Sequence, residues 1–159
     1  MKTINELLGL KKQESEQLIN ELNSLLANYQ LFYQNLRGFH WNVKGEKFFE
    51  LHLKFEELYN DAVVKVDEIA ERILTLGGTP THTFTDYINS ASIQTAKNVS
   101  NGNECMEVTL ENMAILIQSE KAMLPLAQEA EDEGTITLLT DYISQQEKTM
   151  WMLHSWLSK

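Results

Sequence analysis

A chain of 159 residues with 43% hydrophobic residues, only two prolines and a net charge of −10 is long enough to bury a real core and is expected to form one domain over residues 1–159. No apolar run approaches a membrane span, and the opening MKTINELLGLKKQESEQL is too polar for a signal peptide, so the expected location is the cytoplasm, with no membrane partner. The single Cys105 excludes an internal disulfide, and from Ser100 onward ten acids face only Lys121, Lys148 and Lys159. That imbalance repels phosphate backbones and attracts cations; the competing reading is a solvated surface that merely aids solubility.

Thr3-Ile4-Asn5-Glu6 has the form of a capping box and predicts the start of a first helix. Leu18, Leu22, Leu25, Tyr29, Phe32 and Leu36 then share one helical face, and the helix is expected to run to about His40. Asn42-Val43-Lys44-Gly45 reads as a short connection. A second helix carries Leu51, Phe55, Leu58, Ala62, Val66, Ile69, Ile73 and Leu76, and Gly77-Gly78 followed by Pro80 stops it.

The stretch from there to Gly102 is polar, with Thr85-Asp86-Tyr87-Ile88-Asn89 as a candidate helical turn. So long a crossover predicts that the second and third helices run parallel. The third helix is expected after Asn103, with Leu110, Met113, Ile117, Leu124 and Ala127 as its stripe and Pro125 as a point of kinking or lost hydrogen bonding. Glu131-Asp132-Glu133-Gly134 ends it, Thr135 is a candidate cap for the fourth, and Ile136, Leu139, Ile143, Met150, Leu153 and Leu157 form the last stripe. The fold class is therefore all-α, a four-helix bundle with a long crossover between helices two and three that contains a short helix.

The second helix carries more than its core face. His52 and Glu56 are one turn apart, as are Asp67 and Glu71, and the eleven residues from Glu56 to Asp67 return almost to the same angle at about 100° per residue. Imidazole and carboxylate together suit iron, zinc or manganese. One helix cannot bring the pairs together, because Glu56 and Asp67 lie roughly 16 Å apart along the axis. The pairs do share a midpoint between Asp61 and Ala62. A second copy packed antiparallel about a two-fold axis there sets His52 and Glu56 of one chain beside Asp67 and Glu71 of the other, with Tyr59, Val63 and Ala70 as the seam. A solvated charged face with ordinary i,i+4 pairs is the competing reading.

The run His40-Trp41-Asn42-Val43-x-Gly45-x-x-Phe48-Phe49-x-Leu51-His52-x-x-Phe55-Glu56-Glu57-Leu58-Tyr59, then Asp67-Glu68-Ile69-Ala70-Glu71-Arg72-Ile73-x-x-Leu76-Gly77-Gly78, closely resembles the Dps family, the DNA-protection-during-starvation proteins or mini-ferritins. The resemblance extends to the ending Gln146-Glu147-Lys148-Thr149-Met150-Trp151-Met152-Leu153. It implies a ferritin-like bundle, two-fold dimers assembled into a hollow dodecameric shell, and a ferroxidase that oxidises ferrous iron, usually with hydrogen peroxide, and stores ferric iron. Carried over by position, it implies His40 and His52 from one subunit, Asp67 and Glu71 from its partner, and Glu56 bridging or holding a second iron. Zinc or another divalent metal suits the same donors. Trp41 is implied to lie beside the site and intercept oxidising equivalents, with packing at a helix end as the equal alternative. No Glu-x-x-His, the motif of intra-bundle di-iron sites, occurs in the chain.

Glu131, Asp132, Glu133 and Asp141 correspond to a region that lines iron-entry pores in the family; a solvated turn is the alternative. His82, His154 and Cys105 are expected in surface or packing roles. Lys2 stands almost alone ahead of the first helix, the last apolar stripe ends just before Lys159, and Lys11 and Lys12 make only a small basic spot. Appreciable duplex binding at physiological salt is therefore not expected. The alternative function is a DNA-binding, nucleoid-structuring assembly with little iron chemistry. A folded monomer is expected to be nearly inactive.

Overall fold

The computed structural model describes residues 3–158, apart from the side chains of residues 5 and 12–14. Lys2, Lys159 and the side chain of Lys12, part of the basic-spot reading, lie outside that description. Six helices follow in order: α1 (Ile4–Leu8), α2 (Lys12–Asn42), α3 (Phe48–Thr75), α4 (Phe84–Ser90), α5 (Gly102–Glu129) and α6 (Glu133–Leu157). Among the described residues no helix is long and apolar enough to cross a membrane.

The capping box forms, with Thr3 N donating to Glu6 Oε2 at 2.6 Å and Glu6 N to Thr3 Oγ1 at 3.3 Å. It opens only the five-residue α1, however, not a helix reaching His40. Gly9 adopts φ +72°, the left-handed conformation that ends helices, and α2 starts afresh at Lys12. The same device works where it was expected: Gly77 takes φ +80°, and Gly78 N bonds back to Ile73 O at 2.9 Å to close α3.

Two other boundaries differ from expectation. Asn101 caps α5 by accepting from Asn103 N and Glu104 N, so the helix starts at Gly102. α6 is capped by Asp132, not Thr135. The Asp132 carboxylate accepts from Thr135 N at 3.1 Å and Thr135 Oγ1 at 2.5 Å, and pairs with the Arg72 guanidinium arriving from α3. An acid that can serve all three donors outcompetes a hydroxyl at this position. α5 passes through Pro125 without ending there, although the ring nitrogen has no proton to donate.

Helix directions follow from contacts at the ends. Lys44 bridges Asn101, and a Cβ on Gly102 would strike Leu51, so α3 and α5 begin together. Arg72 reaches Asp132, so they also end together and run parallel, as the long crossover predicts. Trp156 Nε1 donates to Glu50 at 2.8 Å, which returns α6 antiparallel to α3. The crossover contains α4 at the expected place, capped by Thr83. Three asparagines of α2 hold it through backbone bonds: Asn23 to Thr79 and Thr81, Asn28 to Ser92 and Ile93, and Asn35 to Gln94 and Ala96.

The core matches the predicted stripes closely in α2 and α3 and in part in α5 and α6, where Met113, Ile117, Ala127, Leu139, Ile143 and Leu153 are buried but Leu110, Leu124, Ile136, Met150 and Leu157 are half-buried. All six predicted positions of α2 are buried, and so are all those of α3 except the half-buried Val66. Burying such side chains contributes roughly 1.5–3 kcal/mol each.

Candidate metal centre

α2 ends two residues after His40 and α3 begins four residues before His52, so the short connection folds the two imidazoles against each other. Each ring is fixed by the other residue's backbone. His40 Nδ1 lies 2.7 Å from the His52 carbonyl, and His52 Nδ1 lies 2.8 Å from the His40 carbonyl. A carbonyl oxygen can only accept, so both Nδ1 atoms donate, and in the neutral rings the lone pair falls on Nε2. This is the tautomer a metal ligand requires, with the opposite nitrogen anchored. The His40 carbonyl is available because Lys44 N, its partner in a continuing helix, donates instead to Ser100 O at 3.0 Å.

Aromatic neighbours restrain the pair further. The imidazoles stack at 3.8 Å with 18° between planes, Phe48 stacks on His52 at 5.1 Å, and the Tyr59 ring meets His40 edge-on at 5.3 Å. Trp41, one residue beyond His40, is 57% exposed with the Arg37 guanidinium 4.7 Å over its ring.

Glu56 follows His52 by one turn and is half-buried, whereas Asp67 and Glu71 are exposed farther along α3. One chain therefore stacks His40 on His52 and carries Glu56 one turn further along α3, with Asp67 and Glu71 nearer the far end of that helix. Among the described residues, no three His, Cys, Asp or Glu side chains of the single chain converge to hold a metal. Val63 and Leu74, on the same face of α3 as His52, Glu56, Asp67 and Glu71, are 42% and 57% exposed. A carboxylate stripe interrupted by bare aliphatic side chains suits a face that another surface covers.

A second polar constellation lies inside the bundle, and the sequence reading missed it. Glu120 of α5 is fully buried; it accepts from Tyr29 Oη at 2.7 Å and from Gln146 Nε2, 2.8 Å from both of its oxygens. Burial pushes its carboxyl up from 4.5 to about 7 against those hydrogen bonds. Beside it, Tyr142 Oη donates to Glu68 at 2.5 Å, and the buried Lys65 ammonium lies 2.5 Å from Asp61. Burial raises both phenols above their ordinary range. A signal existed: Lys65, Glu120 and Gln146 each occupy a stripe position of their helix, where an apolar residue is expected.

The remaining expectations sort by exposure. His82 and His154 are exposed, and Cys105 is buried, its thiol pushed up to about 11 by burial. Asp132 is buried in the α6 cap, while Glu133 and Asp141 are exposed. Glu131, also exposed, pairs with Lys11 at 2.8 Å, and that ammonium holds its carboxyl below the usual range.

A four-helix bundle whose middle two long helices run parallel, joined by one long crossover, is the architecture of ferritin-like proteins, and the Ferritin-like domain family matches residues 19–159. The DNA protection during starvation protein of Porphyromonas gingivalis is 40% identical over 100% of both chains. The crystal structure of the DPS protein from Vibrio cholerae O1, described as a member of a broad superfamily of ferritin-like diiron-carboxylate proteins, is 47% identical, covers 99% of each chain and superposes with a TM-score of 0.95. Dps from Bacillus brevis is 35% identical with a TM-score of 0.89. The chain belongs to the Dps family.

Proposed function

We propose that the protein is a ferroxidase and iron store whose centre forms between two copies of the chain, with His40, His52 and Glu56 from one and Asp67 and Glu71 from the other. The observation that carries this reading is the reciprocal lock of His40 and His52, which fixes both Nδ1 atoms on backbone carbonyls and leaves Nε2 as the ligand nitrogen of each neutral ring, with Glu56 one turn along α3 from His52. The Vibrio cholerae relative is described as a ferritin-like diiron-carboxylate protein, and imidazole with carboxylate is a donor set that suits iron. Zinc or another divalent ion would compete for the same donors.

In this reading ferrous iron and hydrogen peroxide are substrates. His40 and His52 orient the ion without reorganising, because their rings are already fixed. Asp67 and Glu71 supply the negative charge that favours the ferric product. Glu56, placed between the two halves, lets two ions sit close enough to give peroxide both electrons it needs, which avoids release of hydroxyl radical. Two-fold pairs built into a hollow dodecamer in the cytoplasm would retain the mineral and protect the cell from oxidative damage.

With ferrous iron and peroxide, wild-type protein is expected to oxidise iron at least about tenfold faster than the His52→Ala/Asp67→Ala double variant; equal initial rates, followed by absorbance, would sink the proposal. Oxygen in place of peroxide gives the comparison that fixes the oxidant. DNA does not enter this reading, since the net charge of −10 opposes a phosphate backbone. A salt-sensitive gel shift with iron-free protein would show otherwise.

A further inference from the structure

Lys65 holds its charge inside the bundle although its acidic partner stands in water. Its side chain is 4% exposed, whereas that of Asp61, one turn earlier on α3, is 56% exposed. Pairing with an exposed acid does not require burial, because a lysine stem is long enough to carry its head outward. Here the side chain stays within, against a cavity of about 200 Å³ whose walls include Tyr29, Asp61, Lys65, Gln145 and Gln146. Oxygen atoms surround the ammonium: both Asp61 oxygens lie 2.5 Å from Nζ, and Gln145 Oε1 lies 3.4 Å away. Gln146, the next residue on α6, is 5% exposed, and among the described residues its Oε1 is buried without a hydrogen-bond partner. Its amide nitrogen donates to both oxygens of the buried Glu120, whose ionised form the Lys65 charge favours. A buried carboxylate and a buried, unpaired amide oxygen are both acceptors, and each is costly without a positive partner.

We propose that these oxygens form a latent site for a hard divalent cation, and that the Lys65 ammonium, a cation tethered to α3, occupies it and keeps metal out of the bundle. The donors are two carboxylates, Asp61 and Glu120, and two amide oxygens, from Gln145 and Gln146. A set without nitrogen or sulfur suits magnesium, calcium or manganese better than zinc. The exposed Asp61 marks the side from which an ion would enter. The ammonium closes the site in two ways, by filling the space between the oxygens and by repelling a second cation at short range. Divalent ions are then left to the stripe from His52 to Glu71. The inference stands apart from the ferroxidase reading, since it concerns binding within one chain and needs neither a second copy nor oxidation.

A purely structural role for Lys65 explains this arrangement less well. Apolar side chains of similar volume hold helices together at lower cost than a buried ammonium. A lysine that served only to join α3 to α6 could also be replaced without changing what the bundle binds.

Manganese(II) binding to the assembled protein tests the proposal. The free ion is counted by electron paramagnetic resonance at about pH 8, where metal can displace a proton from Glu120. Lys65→Ala is expected to bind one more ion per chain than the wild type. Lys65→Arg, which keeps the charge, should match the wild type. The extra ion should disappear in Lys65→Ala/Glu120→Gln, and its anomalous scattering in crystals of Lys65→Ala should place it beside Gln146. Lys65→Asn, which can still donate to Asp61 and offers an oxygen of its own, should also gain the ion and decides the matter if Lys65→Ala fails to assemble. Equal binding by the wild type and the neutral variants overturns the proposal. So does an extra ion that survives Glu120→Gln or lies away from Gln146. An extra ion in Lys65→Arg overturns it too, because a retained charge would then fail to exclude metal.

Discussion

Mixing chains that carry His52→Ala with chains that carry Asp67→Ala is expected to restore iron oxidation that neither variant shows alone. In the proposed centre each substitution lies in a different half, and an isologous pair would build each centre from one half of each chain. In a mixed pair, one centre receives both lesions and the other receives none. Random reassembly makes half of all pairs mixed, so about one quarter of centres should be intact and the rate should recover to about that fraction of wild type. The measurement is the initial oxidation rate after the two variants are dissociated together and reassembled. Mixing His40→Ala with His52→Ala supplies the control, since both lesions fall in the same half and every mixed centre stays damaged. No recovery in the first mixture would mean that the five residues do not form a centre between chains.

Glu120→Gln is expected to change how stability depends on pH. Burial raises the Glu120 carboxyl from 4.5 to about 7 in the folded protein. The folded state therefore binds a proton more tightly than the unfolded chain, and between these two values it holds more protons. Stability from this group is full below pH 4.5 and is lost as pH rises through 7. The difference in unfolding free energy between wild type and variant should shift in the variant's favour by about 3 kcal/mol between pH 4.5 and pH 8.

Around Glu120 stand Tyr29 from α2, Asp61 and Lys65 from α3, and Gln146 and Tyr142 from α6. Lys65 offsets part of the cost of the charge, and Asp61 in turn pairs with Lys65. The variant has a second advantage. Among the described residues Gln146 Oε1 is buried without a hydrogen-bond partner, and the new amide would give it a donor. Denaturant titrations of both proteins across this pH range decide the point, and a difference that stays flat would show that Glu120 does not change its protonation on folding.

What could be read before the structure was what repeats along a helix. Leu18 through Leu36 and Leu51 through Leu76 follow the helical period, so the stripes and the parallel crossover were legible, and so was the spacing of His52, Glu56, Asp67 and Glu71. His40 came from the family motif, since nothing in periodicity ties it to His52. Its backbone lock depends on the angle between α2 and α3, which no single helix encodes. Gly9 was legible in principle, by the rule that located the stop at Gly77-Gly78, but it sits inside a pattern that otherwise continues. Thr135 was the expected cap, and Asp132 takes its place because Arg72, from another helix, favours the acid. Lys65, Glu120 and Gln146 each interrupt one stripe, and only the packed bundle reveals that the interruptions share a level.

The junction of Arg72, Asp132 and Thr135 gives the two halves of the proposed centre different tolerance to sequence drift. The histidine half is registered by its own chain within twelve residues, through carbonyls that every residue type provides. Side-chain changes outside that segment reach it only weakly. The acidic half is registered across the bundle: Arg72 directly follows Glu71 and is tied to an acid sixty positions away. A mutation in the α5–α6 turn, remote from any ligand in sequence, can therefore displace a carboxylate while leaving the imidazoles in place. Variation among descendants of this chain should accordingly be freer around the first half than around the second, where change at the turn needs compensation on α3.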